Sequence, residues 1–161
     1  MKNQYEYTIN ATDDIRRALE EAEREGYGLT HYTARFDLRG TADSPISVDS
    51  PLKDLYVVAH GPAPVYVLDD VTVIAEDSAV VYAMEDSLVD AYDSATVYAY
   101  DRSGVDVSMD SSVHVESDDV IVNAFGDAKV YLSAPGAGGS RATVNVHDGA
   151  NLIQTPAATE N

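Results

Sequence analysis

The run Ala91-Tyr92-Asp93-Ser94-Ala95-Thr96-Val97-Tyr98-Ala99-Tyr100-Asp101 repeats itself every eight residues. Extended in both directions, valine stands at 57, 65, 73, 81, 89, 97, 105 and 113. It returns after one extra residue at 122 and 130, and after an insertion at 144, with Leu152 last. Two residues beyond each comes a second small or apolar side chain, as in Ala59, Val67, Ala75, Ala83, Ala91, Ala99, Val107, Val115, Ala124, Leu132 and Val146. A turn-forming triplet follows, Asp77-Ser78-Ala79, Asp93-Ser94-Ala95 or Asp110-Ser111-Ser112. Fixed-period self-similarity is the signature of a stacked solenoid. Residues two apart on a strand share a face, so each octad reads as one short strand and one turn. Asp, Ser and Gly suit the turns because they bond nearby backbone or tolerate unusual dihedrals. An octad cannot bury its own apolar face; stacking the octads makes one continuous valine-alanine core, kept thin by the alanines.

The residue after each core valine fixes the number of strands per coil. In alternate octads it reads Tyr66, Tyr82, Tyr98, His114, Tyr131 and Ile153; in the others it reads Val58, Ile74, Asp90, Asp106, Asn123 and Asn145. The order has a period of sixteen, which predicts two strands per coil. The expected architecture is mainly β: a two-faced β-helix of about six 16-residue coils over residues 54–154, with a loop insertion at 134–142. At a strand spacing of roughly 4.8 Å such a rod is ~28 Å long. One face carries a tyrosine ladder of Tyr66, Tyr82, Tyr98, His114 and Tyr131, with Tyr92 and Tyr100 as further outward rings. Stacked rings support one another along a sheet, and a broad tyrosine face also suits a contact with a partner or a second copy.

Residues 1–53 read as a small α/β cap over the open end of the solenoid. Tyr5–Ile9 is a candidate strand. Thr12 is a candidate helix N-cap, with Asp13 and Asp14 in the first turn. Ile15, Ala18, Leu19 and Ala22 form an apolar stripe, which predicts a helix at about 12–25 that stops at Gly26. Residues 27–39 alternate as a strand, and residues 40–53, with Gly40, Pro45 and Pro51, form a connection. Residues 155–161 read as a disordered tail.

The formal charge is −18, and it is unevenly spread. Residues 1–53 hold ten acids and seven bases; residues 133–161 hold two acids and one base. Residues 54–132 hold sixteen acids and only two bases, Arg102 and Lys129. Alternate turns of a two-faced rod fall on opposite edges. One edge is expected to carry Glu76, Asp77, Asp93, Asp110 and Asp127. The other is expected to carry Asp69, Asp70, Glu85, Asp86, Asp101, Asp118 and Asp119. Fourteen net charges over a ~24 Å rod amount to roughly one per 1.7 Å, the linear charge density of duplex DNA. The edges are expected roughly 15–20 Å apart, comparable with the width of a duplex. Asp is a good turn residue in its own right, but turn chemistry does not explain the near absence of Lys and Arg. An acidic surface of this kind repels nucleic acid and suits a protein built to hold it.

Little else in the chain suggests chemistry. It has no cysteine, no glycine-rich phosphate loop and no His/Cys cluster at metal-ligand spacing, so no catalytic residue, metal or cofactor is expected. Calcium-binding β-rolls stack Asp turns on a Gly-Gly-x-Gly-x-Asp repeat that is missing here. His60 and His147 share a column but lie near opposite ends of the rod. The many carboxylate pairs are repeated architecture rather than one acid/base dyad. No secretory, transmembrane or lipidation signal is evident, so a cytoplasmic location without membrane contact is expected.

The octads Val73-Ile74-Ala75-Glu76-Asp77-Ser78-Ala79-Val80-Val81 and 91–101 resemble the short-repeat proteins of phages and mobile elements, which look like β-helices. The resemblance covers about residues 57–153 and is strongest at 73–104. A small, acidic, cysteine-free chain also resembles the DNA-mimic inhibitors, anti-CRISPR and anti-restriction proteins, that phages turn on bacterial defence. Pentapeptide-repeat proteins are a related precedent, although their five-residue repeat is absent here. These resemblances imply a non-enzymatic inhibitor acting in a bacterial host. Its acidic edges would occupy the nucleic-acid channel of a protein partner, with an anti-CRISPR role the specific expectation. The alternative is a structural or adhesive solenoid that self-associates, as a homodimer or beyond, through the tyrosine face. A further alternative is an inhibitor that blocks an enzyme with its N-terminal cap.

Overall fold

The computed structural model describes residues 5–25, 34–49, 55–133 and 142–154. The expected helix stop at Gly26, the first part of the 27–39 strand, the linker around Pro51, nearly all of the 134–142 insertion and the 155–161 tail lie outside the described residues. The octads form four-residue strands: β4 (Tyr56–Ala59), β5 (Pro64–Val67), β6 (Thr72–Ala75), β7 (Val80–Ala83), β8 (Leu88–Ala91), β9 (Thr96–Ala99), β10 (Gly104–Val107), β11 (Ser112–Val115), β12 (Ile121–Ala124) and β13 (Lys129–Leu132). After the insertion come β14 (Thr143–Val146) and β15 (Asn151–Gln154). Before the octads lie β1 (Tyr5–Ile9), α1 (Thr12–Arg24), β2 (Ala34–Leu38) and β3 (Ile46–Val48).

Odd and even octads separate into two parallel sheets, as the period of sixteen requires. One sheet runs β1-β2-β4-β6-β8-β10-β12-β14 and the other β15-β13-β11-β9-β7-β5-β3. Five coils, β4/β5 to β12/β13, are contiguous, and β14/β15 add a sixth pair behind the insertion. Register follows the sequence: Val73 pairs with Val89 and Val89 with Val105, while Tyr66 pairs with Tyr82 and Tyr82 with Tyr98. The extra residue is absorbed in the turn between Val115 and Val120, so Val105 still pairs with Val122.

The core valines and their small partners are buried from Val57 to Val130. The last residue of each turn is buried as well: Ala63, Val71, Ala79, Ser87, Ala95, Ser103, Ser111, Val120 and Ala128. Each octad therefore contributes three interior side chains rather than two. Small residues are needed at this corner because the chain bends there between two sheets that approach closely.

The N-terminal strands continue the solenoid. β1 and β2 extend the first sheet, with Arg35–Leu38 in register with Tyr56–Ala59, and β3 extends the second. Ile15 and Ala18 of α1 are buried in the same core as Ile9, Phe36 and Leu38, Ala22 is buried as well, and Tyr7 stacks on Phe36 at 5.4 Å. The helix cap differs from expectation. Ala11, not Thr12, is the N-cap residue. The Asp14 carboxylate accepts from the Asn10 and Ala11 amides, both at 3.1 Å, while Thr12 Oγ1 accepts from the Ser47 amide at 3.0 Å. Thr12 therefore ties the helix to β3 instead of capping it.

Candidate functional site

The acidic edges are built by the turns. Most turns are four residues closed by one backbone bond, such as Ala79 N to Glu76 O and Ala95 N to Tyr92 O, both 3.1 Å. The second turn residue has a left-handed backbone: Asp69 (φ 55°), Asp77 (56°), Glu85 (56°), Asp93 (54°), Asp101 (52°) and Met109 (59°). Asp tolerates this conformation better than most residues because its short side chain can bond locally. The aspartates thus have a backbone reason to stand there, and a further one in their partners. The Asp69 amide donates to the Glu85 carboxylate (3.1 Å), the Glu85 amide to Asp101 (3.2 Å) and the Asp77 amide to Asp93 (3.4 Å). Each of these bonds spans sixteen residues, one coil. Acids of one edge are therefore bridged by main-chain dipoles, which offsets part of the repulsion of like charges stacked at about 4.8 Å.

Asp69, Asp70, Glu85, Asp86, Asp101, Asp118 and Asp119 fall in the turns along one edge. Asp77, Asp93, Asp110 and Asp127 fall along the other, interrupted by Met109 at the bonded position. Arg102 is the one base in the turns between Val67 and Lys129. It donates twice to Asp86, at 2.8 and 2.7 Å, and this bond holds the Asp86 carboxyl below the usual carboxylate range. Glu76, counted with the second edge from sequence, joins a different cluster: it lies 3.9 Å from Arg35 and 3.7 Å from His60.

On the face of the first sheet Asp90, Asp106, Asn123 and Asn145 form one column. Asn123 donates to Asp106 at 2.7 Å and Asn145 to Asn123 at 2.9 Å. Asp90 receives no such bond, and burial, then the neighbouring Asp106 charge, push its carboxyl above the usual range. On the opposite face Tyr66, Tyr82, Tyr98, His114 and Tyr131 stack in sequence at 4.7, 5.0, 4.8 and 4.6 Å. All five rings are half-buried. Tyr92 is exposed and lies on the other face, beside the Asp90 column.

Pattern-reading missed a charged cluster at the N-terminal end. Asp37 is completely buried yet bears a carboxylate. Arg35 Nε donates to it at 2.6 Å, and the Arg39 guanidinium lies 3.6 Å away. Burial opposes its ionisation, but bonds from the Glu6 carboxyl and the Arg35 guanidinium prevail and hold it low. Glu6 is raised by the same bond, so Glu6 is the member of the pair that keeps a proton longest. His60 Nε2 lies 2.9 Å from the Arg35 guanidinium. Nε2 is also 3.4 Å from the Asp37 carboxylate, and Nδ1 is 3.4 Å from Asp77. The signal available in the sequence was Arg35-Phe36-Asp37-Leu38-Arg39, a strand whose outward positions are all charged.

Among the described residues no group of three or more His, Cys, Asp or Glu side chains could hold a metal ion, and no helix is long and apolar enough to cross a membrane. Comparison with known proteins finds no matching family model, no matching curated protein and no matching solved structure.

Proposed function

We propose that this chain is a non-enzymatic binding protein whose acidic edges substitute for a phosphate backbone. In this reading it occupies the nucleic-acid-binding surface of a protein partner in a bacterial cytoplasm. The observation that carries the proposal is the pair of carboxylate columns at coil spacing, Asp69-Glu85-Asp101 on one edge and Asp77-Asp93 on the other. They stand in a segment with sixteen acids and two bases. The amide bridges matter because they hold the Glu85, Asp93 and Asp101 carboxylates in place before any partner arrives, and a preorganised charge array loses less entropy on binding than a mobile one. Tyr82, Tyr98 and His114 each spend both ring faces on neighbours within the stack.

The resemblance to anti-defence inhibitors makes a CRISPR effector complex the first partner to test, and a restriction enzyme the second. Duplex DNA and the purified chain are placed in competition for each partner at two salt concentrations. Mutual exclusion that weakens steeply with salt supports the reading, because phosphate-like contacts lose affinity with log salt as DNA does. Simultaneous binding of DNA and the chain, or affinity indifferent to salt, overturns it.

A further inference from the structure

β1 is the last strand of the eight-stranded sheet, and its outer side meets no other strand among the described residues. Arg39 N donates to Ile9 O at 2.8 Å, which places the main-chain groups of Ile9 on the β2 side. Amide and carbonyl directions alternate along a strand, so Tyr7 also faces β2, while Glu6 and Thr8 direct theirs to the open side. Open edges of soluble sheets are usually covered or blunted. Here the open side borders a cleft of about 460 Å³ whose other wall is α1. The helix contributes Asp14, Arg17, Ala18 and Glu21, residues three, four and seven apart and therefore on one helical face. A strand edge whose outward amides and carbonyls meet no strand among the described residues, with a helix as the other wall of the cleft, is an arrangement that accepts an extended peptide by strand addition.

Charge selects the occupant. Asp14 is already committed to the Asn10 and Ala11 amides and lies 3.5 Å from Arg17. That pairing leaves Glu21 and Glu25 to set the sign of the cleft, since the Glu6 carboxyl is bonded to Asp37, and Glu25 accepts from the Tyr7 hydroxyl at 3.3 Å. We infer that the cleft between β1 and α1 binds an extended, lysine- or arginine-bearing segment of a partner protein, added as a further strand against Glu6 and Thr8. Main-chain bonds would supply sequence-independent affinity, and Glu21 and Glu25 would favour cationic side chains on the helix side of the cleft. The five residues of β1 at ~3.3 Å each give an edge of about 16 Å, enough for roughly five residues of the incoming segment. A second copy of this chain is a poor occupant because its solenoid carries the same sign of charge. The inference does not depend on the acidic edges acting as a phosphate substitute.

The test uses the full chain and a labelled nine-residue peptide of alternating lysine and valine. A second peptide of the same sequence is N-methylated at alternate amides, which keeps the charge and removes the strand-edge donors. The expected result is binding at least about tenfold tighter for the unmethylated peptide, equivalent to about 1.4 kcal/mol. Hydrogen exchange at the Glu6 and Thr8 amides should slow by about the same factor or more. Glu21→Lys with Glu25→Lys should weaken binding by about tenfold while the melting temperature stays unchanged. Equal binding of both peptides would mean charge attraction alone and would overturn the inference. So would protection that maps to the solenoid turns, no binding up to millimolar peptide, or concentration-dependent protection of Glu6 and Thr8 without peptide, which would identify a second copy as the occupant.

Discussion

The backbone amide of Glu85 donates to the carboxylate of Asp101, 3.2 Å away and one coil further along the rod. Both residues have a left-handed backbone, with φ of 56° and 52°. The conformation points the amide of one turn along the solenoid axis, and the acid of the next turn stands where it can accept. One local geometry thus accounts for the choice of Asp at the turn, for the stacking of turns, and for the tolerance of like charges in a column. It also divides the acids into two sets: those bonded in the ladder, and those such as Asp110, Asp118, Asp119 and Asp127 that project from the turns.

The corner serines give a direct test of core packing. Ser87 and Ser103 are fully buried, and their hydroxyls have no hydrogen-bond partner. Ser111, in the equivalent position, donates to Ser108 O at 2.5 Å and lies 3.3 Å from Ala91 O. Ala79 and Ala95 occupy the same corner without difficulty. Ser87→Ala and Ser103→Ala should each raise stability by about 1 kcal/mol, the cost of an unpaired buried hydroxyl. Ser111→Ala should lower it by a similar amount. Urea unfolding with unchanged m-values would show this, and equal effects at all three positions would contradict the assignment.

Met109 breaks the turn rule. Its φ is 59° and its side chain is exposed, so it takes the left-handed conformation with no local bond to offset it. Met109→Gly should stabilise by up to about 1 kcal/mol, the relief of left-handed strain less the extra freedom of glycine in the unfolded chain. Met109→Asp should also be tolerated, because Asp93 then gains the acceptor that Asp77 finds in Asp93. Thermal unfolding of the two variants against the parent protein decides the matter.

The period of sixteen was legible because Tyr66, Tyr82 and Tyr98 alternate with Ile74, Asp90 and Asp106, and only two sheets explain that order. The two edges followed from it. The corner position was not legible as core, because Ala79 and Ala95 sit inside a Ser- and Asp-rich turn where polarity hides a buried methyl. The N-terminal strands were read as a cover, since β2 has no octad; backbone register, which needs no repeat, joins them to the sheet. Asp37 escaped notice because alternation marks which residues point outward, and the side chains of Arg35, Arg39 and His60 gather around that outward position. The β1 edge was invisible for a related reason: an open side is a property of what does not pair, and no residue type announces it.

Asp90 sets a pH dependence. Its pKa is raised by burial and by Asp106, so the folded state holds that proton more tightly than the unfolded chain does. The contribution is favourable below the unfolded carboxyl range and is lost as pH rises through the folded value. At neutral pH the Asp90–Asp106 pair is therefore a net cost. Asp90→Asn should stabilise the protein at pH 7 by about 0.5–1 kcal/mol, the scale of a like-charge cross-strand pair. The variant also places an amide donor where Asn123 already serves Asp106. The gain should shrink towards zero below about pH 4, where the parent carboxyl is protonated. A gain that is constant with pH would refute the electrostatic account.

The tyrosine ladder should behave as a stack rather than as independent rings. Tyr82 lies between Tyr66 at 4.7 Å and Tyr98 at 5.0 Å, whereas among the described rings Tyr66 has one stacking neighbour, Tyr82. Tyr82→Ala should cost about 0.5–1.5 kcal/mol more than Tyr66→Ala, the worth of one additional aromatic contact. A double-mutant cycle between Tyr82 and Tyr98 should show coupling of the same sign and order. Sedimentation of these variants also tests the tyrosine face as an interface. If the parent chain self-associates and Tyr82→Ala abolishes it, that face binds a second copy and the acidic edges lose their claim as the main contact.

Charge reversal can be made without loss of the fold at acids of the edges that accept no amide bridge. Asp110, Asp118, Asp119 and Asp127 are exposed, and no amide bridge to a neighbouring coil holds them. Reversing all four to lysine should leave the melting temperature within a few degrees of the parent, since surface substitutions away from specific bonds usually change stability by less than about 0.5 kcal/mol each. It should reduce affinity for a DNA-handling partner by several orders of magnitude and flatten the log-salt slope by about the number of phosphate-like contacts removed. Asp93→Lys and Asp101→Lys should instead lower stability, because each removes the acceptor of an amide one coil away and leaves a β-unfriendly left-handed position to a long side chain. If the quadruple reversal leaves both affinity and salt slope unchanged, the edges are an architectural consequence of aspartate turns and not a substitute for phosphate.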